Sequence, residues 1–574
     1  MLQISNGNFF IGDSFNETTH RSPLYTNMQF FTDSFSLIIG KIYRSNKFHD
    51  SNIVIAEVFE KQETHDKHGN LNVLISTSGH EMIDEFSLLI SFYLNTLCTT
   101  SYTQATELLK NSQTSRIQTD PRKYIHRFFD ESNFVQDEEM KELNEFTYKL
   151  LNTSRNSYET SMKAMRRYVT AMARIADDFD AAYALLVASI ESLAQYHNDY
   201  KTDWQDYADN KRKPLDKILN KVDEAIASQI REAIISQEHI GISRRFYSFV
   251  MDNLDEAFYN PTENNAFSVI GKRDLKIAIK NAYGMRSKYI HTLSSLPKEI
   301  TDHPTLNYMT YVNEKPFLTF NGLAAISREL IKKFVLKQEE CKKENIDIIS
   351  LLPNVITGTW ASEYWLGNKN DYVKGKYNIF LIALLDKIEL ILKGHKGIAM
   401  PDMLPVLSKI EVEIKSTKNK LDKCSMLTFY WLCFIYIIPK EEMSESVFLT
   451  EHIHYINGTN IYSLLMAAIY NQEDIENAES DWEFFKDYSQ TKYNKNSLTL
   501  SEYFESLIAL NLIATFTLLG NKEKIDEIKS HIAINLPNAR EVNDFMRNYE
   551  FPAIVKVNDL YKKKEVNEQP PKES

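Results

Sequence analysis

The chain has 574 residues, of which 43% are hydrophobic and 25% charged, an ordinary globular composition that excludes a disordered or collagen-like chain. That length predicts two to four domains with a large buried core. With 66 Lys and Arg against 78 Asp and Glu, the formal charge is −12, which argues against a general coater of nucleic acid and confines any such contact to local basic surfaces.

The first segment, residues 1–115, reads as β-rich. Met1-Leu-Gln-Ile-Ser-Asn has neither a basic start nor an apolar core, so no secretory signal is read there. Phe35 to Tyr43 reads as a strand, with Phe30 to Tyr43 holding one or two, and Arg44-Ser-Asn-Lys-Phe-His49 after it as loop. Ile53–Glu60 and Leu71–Ser76 flank a polar stretch with His68-Gly-Asn70, the pattern of a hairpin with a long loop. A helix is predicted near Ile83–Leu97, with Glu81, Asp84 and Glu85 in its first turn. Polar sequence over Asn111–Asp120 marks a boundary.

Helical periodicity takes over near Asp137 and defines a second domain, 137–340. Tyr183, Leu186, Val187, Ile190, Leu193 and Ala194 follow an i, i+3, i+4, i+7 series, with Glu191 on the shoulder of that stripe. Extra helices are expected over 200–265. Leu275, Ala278, Ala282, Met285 and Tyr289 recur at helical spacing and predict one buried face. Phe320 to Phe334 reads as the closing helix. A third domain, 346–560, reads as all-α: Tyr377–Lys393 stops at Gly394, Ser501–Leu519 stops at Gly520, and Leu519–Ile528 hints at helix-hairpin repeats. Met426–Ile438 is too short to span a bilayer and reads as a buried helix. The tail 562–574 reads as disordered. The fold class is therefore mostly α, with a β-rich start.

Cys98, Cys341, Cys424 and Cys433 lack CxxC spacing, so neither a disulfide framework nor a zinc site is indicated, and a reducing cytoplasm is the simple inference. His452 and His454 alternate without a third ligand at metal-site spacing. No metal and no cofactor are expected.

Two segments carry the chemistry: Tyr183-Ala-Leu-Leu-Val-Ala-Ser-Ile-Glu-Ser-Leu193, and Asn281-Ala-Tyr-Gly-Met-Arg-Ser-Lys-Tyr-Ile-His-Thr292 about ninety residues later. Together, an aliphatic helix ending in Glu-x-Leu and a later Arg-Ser-Lys-aliphatic-aliphatic-His element, they resemble the HEPN superfamily, most closely its Apea-like branch of bacterial defence proteins. The resemblance spans roughly residues 150–340. It implies a small helical bundle, a homodimer with a composite cleft, and a metal-independent endoribonuclease acting in antiphage defence under the control of a phage-derived trigger or regulatory protein. Where Ser287 follows the arginine, other branches often carry an amide or acid.

RNA carries its own nucleophile, the 2′-hydroxyl. Cleavage needs a base, an acid and positive charge on the phosphorane-like transition state. His291 is the candidate proton-transfer group, since imidazole titrates near neutrality. Arg286 is the candidate phosphate clamp, its planar fork matching phosphate oxygens. Glu191 would orient the site; a structural ion pair is its competing reading. Lys272, Arg273, Lys276, Lys280 and Lys288, opposed within the helix by Asp274 alone, are candidate RNA-binding residues. An acidic body with one basic cleft favours few, structured RNAs, tRNA among them. A regular helix sets positions 286 and 291 about 140° apart; a break at Gly284, the reach of the arginine stem, or a second subunit would each relieve this. Two other functions fit the same residues: a non-catalytic dimerisation and partner-binding scaffold, and a nucleotide sensor whose Arg286 and lysine row grip a phosphorylated ligand.

Overall fold

The computed structural model describes residues 1–5, 7, 10, 14–48, 51–65, 71, 79–109, 120–130, 133–196, 204, 209–237, 242–260, 270–341, 358, 360–437, 447–495 and 497–553. Helices make up 62% of the structure, in keeping with a mostly α chain that starts rich in strands. The chain divides into two compact units, Met1–Val355 and Ile356–Ser574, each with its own buried cluster of apolar side chains. The sequence segments 1–115 and 137–340 both fall in the first unit, and their buried residues form one continuous cluster.

The first unit opens with a sheet whose strand order is β3-β4-β5-β1-β6. These strands are β1 (Phe15–Thr26), β3 (Ser34–Leu37), β4 (Gly40–Phe48), β5 (Ser51–Glu63) and β6 (Cys98–Thr99); β2 (Met28–Gln29) pairs in parallel with β7 (Asn133–Phe134). β1 and β5 are antiparallel over their whole length, from Phe15 opposite Glu63 to Thr26 opposite Asn52. Two expectations are corrected here. Phe35 to Tyr43 is not one strand: β3 and β4 form a tight hairpin, with Leu37 opposite Gly40. Arg44 is not loop but lies inside β4 opposite Val54, because β5 supplies the backbone partners a loop would lack. His49 lies outside the described residues, as do 66–70 and 72–78; of the second predicted hairpin arm, Leu71 is described and bridges His65.

Helix α1 (His80–Tyr93) ends earlier than predicted, because Leu94–Leu97 turn the chain into β6. After the short α2 (Tyr102–Leu109) and α3 (His126–Phe129), α4 (Asp137–Leu151) starts from a reciprocal cap between Gln136 and Glu139, with three acidic residues in its first turn. Helix α5 (Arg155–Arg174) starts at Ser154, whose hydroxyl accepts from the Ser157 amide. It lies against α6 (Phe179–Tyr196), close enough for Ser189 Oγ to donate to the Ala164 carbonyl at 2.9 Å.

The extra helices expected over 200–265 include α7 (Asp209–Leu219), α8 (Glu224–Gln237), α9 (Ile242–Asn253) and α10 (Glu256–Tyr259). Then come α11 (Lys272–Thr292), α12 (Lys298–Thr301), a hairpin of β8 (Met309–Val312) and β9 (Lys315–Leu318), and α13 (Phe320–Lys337). Thr319 caps α13 by accepting from the Gly322 amide. Helix α11 packs on α6, α9 and β9, with Asn281 Nδ2 donating to the Pro316 carbonyl at 2.9 Å.

Every described helix-length element of the second unit is α: α14 (Tyr377–Leu392), α15 (Leu404–Ser416), α16 (Lys420–Tyr436), α17 (Val447–His452), α18 (Ile461–Tyr470), α19 (Ala478–Thr491), α20 (Glu502–Leu518), α21 (Lys522–Asn535) and α22 (Arg540–Asn548). Gly394 and Gly520, at φ of 78° and 69°, follow the ends of α14 and α20 as the stop signals predict. Of the apolar run from Met426, residues 426–430, Leu432 and Cys433 are buried within α16, Trp431 and residues 434–437 are half-buried, and Ile438 lies outside the described residues. Among the described residues no helix is long and apolar enough to cross a membrane. The tail from 562 lies outside the described residues.

Candidate functional site

Helix α11 is unbroken from Lys272 to Thr292, so of the three ways to bring positions 286 and 291 together, the break at Gly284 does not occur. A single glycine costs a helix interior only about 1 kcal/mol, and Leu275, Ala278, Ile279 and Ala282 bury the helix on its neighbours. Met285 and Tyr289, expected in that face, are half-buried on its margin. The helix ends where Leu293 takes a left-handed conformation (φ 51°) and its amide donates to the Tyr289 carbonyl.

With the helix regular, Arg286 and His291 part company. Arg286 turns towards α6, where its Nη2 meets Glu191 Oε2 at 2.8 Å. The Glu191 side chain is 10% exposed and that of Arg286 24%. Tyr283, one turn before Arg286, also hydrogen-bonds Glu191; burial first, then the carboxylate's charge, hold its phenol above its ordinary range, while Arg286 opposes them. Its ring packs 5.2 Å from that of Phe246 on α9. Arg286 Nε is buried and has no hydrogen-bond partner among the described residues. Glu191, Arg286 and Tyr283 thus form a small polar knot joining α6 to α11, the competing structural reading of Glu191.

His291 lies in the last turn of α11, exposed to solvent, and forms no hydrogen bond or ion pair with any described residue. Five positions on a regular helix put it about 140° around the axis from Arg286 and about 7.5 Å along it. Within one chain the two side chains do not meet in a common crevice. Lys272, Arg273, Lys276, Lys280 and Lys288 are all exposed. By the 100° step of a helix, Arg273, Lys276, Lys280 and Ser287 share with His291 a sector about 60° wide. The imidazole therefore ends a basic stripe on the outward face. Lys280 Nζ sits 4.8 Å from the ring centre of Tyr247 on α9.

The sequence motif points to Glu191, Arg286 and His291 but not to Tyr283, Phe246 or Tyr247. An i, i+3 relation between Tyr283 and Arg286 was the available signal for the first; the α9 residues had none, since their approach depends on tertiary packing. His452 and His454 are occupied locally, their Nδ1 atoms near the carbonyls of Phe448 (2.9 Å) and Glu451 (3.1 Å). Among the described residues no three His, Cys, Asp or Glu side chains gather as a metal ion would need. In comparisons with known proteins, no family model, no curated protein and no solved structure matches the chain.

Proposed function

We propose that this chain is a metal-independent endoribonuclease of HEPN type that works as a homodimer, its RNA lying along the outward face of α11. The observation that carries this reading is His291, a solvent-exposed imidazole without a described partner at the end of a stripe of Arg273, Lys276 and Lys280. The stripe would hold the RNA backbone, and His291 would take the 2′-proton or protonate the 5′-leaving oxygen. Arg286, steadied by Glu191 and still partly exposed, would present the free edge of its guanidinium to the phosphate. Because Arg286 and His291 diverge within one chain, the working site pairs the imidazole of one copy with the guanidinium of another. The defence role and the phage-derived trigger belong to this proposal through the family resemblance alone.

The test is incubation of the purified protein with total RNA in a chelator, followed by sequencing of the RNA ends. Ends bearing 2′,3′-cyclic phosphate and 5′-hydroxyl are expected, with a loss of about 100-fold or more in His291→Ala. Mixing His291→Ala with Arg286→Lys should restore part of the activity if the site is shared between copies. Intact RNA with the wild-type protein, or cleavage undiminished in His291→Ala, overturns the proposal. One observation favours a second reading: Arg286 is already paired inside the bundle with Glu191, as in a non-catalytic scaffold. Intact RNA together with a stable dimer and a captured partner would establish that reading instead.

A further inference from the structure

The second unit contains a cavity of about 710 Å³ between one face of α18, Trp431 of α16 and the start of α19. A space of this size suits a small organic ligand or an extended side chain. Among the described residues its lining includes Glu473, Asp474 and Asp481 but no lysine, arginine or histidine, and the Asp474 carboxylate accepts from Asn477.

Three further features make this more than an acidic cluster. Asp481 is only 6% exposed, and among the described residues its side chain has the Thr459 hydroxyl as a hydrogen-bond partner and no cation. Burial holds its carboxyl above the usual carboxylate range, with the Asp474 charge adding to the effect and the Thr459 bond opposing it. A buried carboxylate without a counter-charge is costly to keep ionised. Next, the side-chain oxygen of Asn471 is buried without a hydrogen-bond partner among the described residues, at a residue held left-handed (φ 51°) just past the end of α18. That oxygen accepts and cannot donate, so it calls for an N–H or O–H. Finally, two aromatic residues belong to the lining, Trp431 and Tyr470, with ring centres 5.4 Å apart and planes at 47°. Aromatic faces attract cations within about 6 Å. The carbonyl end of α18 is also the negative end of its dipole.

We infer that this cavity binds an alkylammonium group carried on a flexible aliphatic chain. The ammonium would lie between Asp481 and the two rings, a turn of the Asn471 side chain would bring its Oδ1 out to accept from it, and the methylenes would pass over Leu464, Met466 and Ala467. A free polyamine and a lysine side chain of a partner protein present the same chemistry, and the experiment separates them.

The full-length protein is titrated by calorimetry at about 0.15 M salt, where long-range charge attraction is largely screened. The probes are spermidine, a short lysine-containing peptide, the same peptide with its lysine acetylated, and a neutral diol of matching length. Spermidine or the free lysine peptide should bind, and the acetylated peptide and the diol should not. Binding to spermidine alone identifies the ligand as a free amine; binding to the peptide alone identifies it as a protein side chain. Asp481→Asn should weaken binding at least about tenfold, and Trp431→Leu about three- to tenfold, by loss of a cation–π contact. Asp474→Asn, on the rim, is the companion variant should Asp481→Asn fail to fold, and should weaken binding about threefold. If no amine binds at millimolar concentration, or if folded variants bind as tightly as wild type, the inference is wrong. RNA cleavage plays no part in this readout, so its outcome and that of the nuclease test are independent.

Discussion

At the scale of single residues, the two halves of the Arg-x4-His element have different physical duties. Removing Arg286 leaves Glu191 largely buried with Tyr283 but without a counter-charge, whereas the exposed His291 has no described partner to strand. Arg286→Ala should therefore cost about 1–3 kcal/mol in urea unfolding, and His291→Ala less than about 0.5 kcal/mol. Equal losses would mean that the imidazole has a structural partner. This difference makes His291 the cleaner probe of catalysis. The candidate site was legible in sequence as far as its residue types and the alternative that Glu191 makes a structural ion pair; that its partner is Arg286 was not. Which way each side chain turns was not, because that depended on whether Gly284 broke the helix. A second residue, Lys332 on α13, makes a pH prediction. Its Nζ lies 3.9 Å from the Tyr93 ring centre, a contact that favours the charged form, yet burial and then Arg328 pull its pKa down to about 7. The unfolded chain therefore holds more protons between about pH 7 and 10.5, and the destabilisation is complete below 7 and fades as pH rises through that window. Lys332→Met should raise Tm clearly at pH 6 and much less at pH 10. A gain that is equal at both values, or larger at pH 10, contradicts the assignment.

At the scale of elements, two helical glycines should respond in opposite directions. Gly284 sits in the continuous interior of α11, and a Cβ added there meets nothing within 4 Å. Gly284→Ala should therefore stabilise the first unit by about 0.5–1 kcal/mol, by lowering the entropy of the unfolded chain. A loss would show that the residue needs a conformation alanine resists. Gly322, in the first turn of α13, is the reverse case: an added Cβ would lie 2.1 Å from the Tyr308 carbonyl oxygen. That carbonyl accepts from the Thr319 amide, and the Thr319 hydroxyl donates to the Asn307 carbonyl, so the backbone there has little freedom to retreat. Gly322→Ala should cost about 1–3 kcal/mol, read from the same urea transitions. Sequence reading succeeded where an element declares itself locally. Helices α4, α6, α14 and α20 carry their own periodicity, caps or glycine stops. It failed where a partner strand decides the outcome. β1 went unnoticed because Phe15–Thr26 is polar and holds Pro23; it is a strand through its full-length pairing with β5. Arg44 looked like loop for the same reason, its neighbours in space being some ten residues away in β5.

At the scale of the whole molecule, the two buried clusters are separate in sequence as well as in composition. Among the described residues the first gathers residues from Met1 to Val335 and the second residues from Leu366 to Tyr549, with none contributing to both. Each unit is of ordinary domain length or larger and buries its own aromatic centre: Tyr158, Tyr168 and Tyr183 in the first, Trp482 and Tyr372 in the second. A core that borrows no side chain from its neighbour should survive separation from it. Expressed alone, residues 360–553 should give a helical circular-dichroism spectrum and a cooperative melt. The spectra of that piece and of residues 1–341 should add up to the spectrum of those two stretches within the full chain. Calorimetry of the intact protein should then show a calorimetric enthalpy larger than the van't Hoff enthalpy, the mark of more than one cooperative unit. A separated second unit that melts without a transition would show that its stability is borrowed, and the cation-binding cavity would then have to be studied only in the full chain.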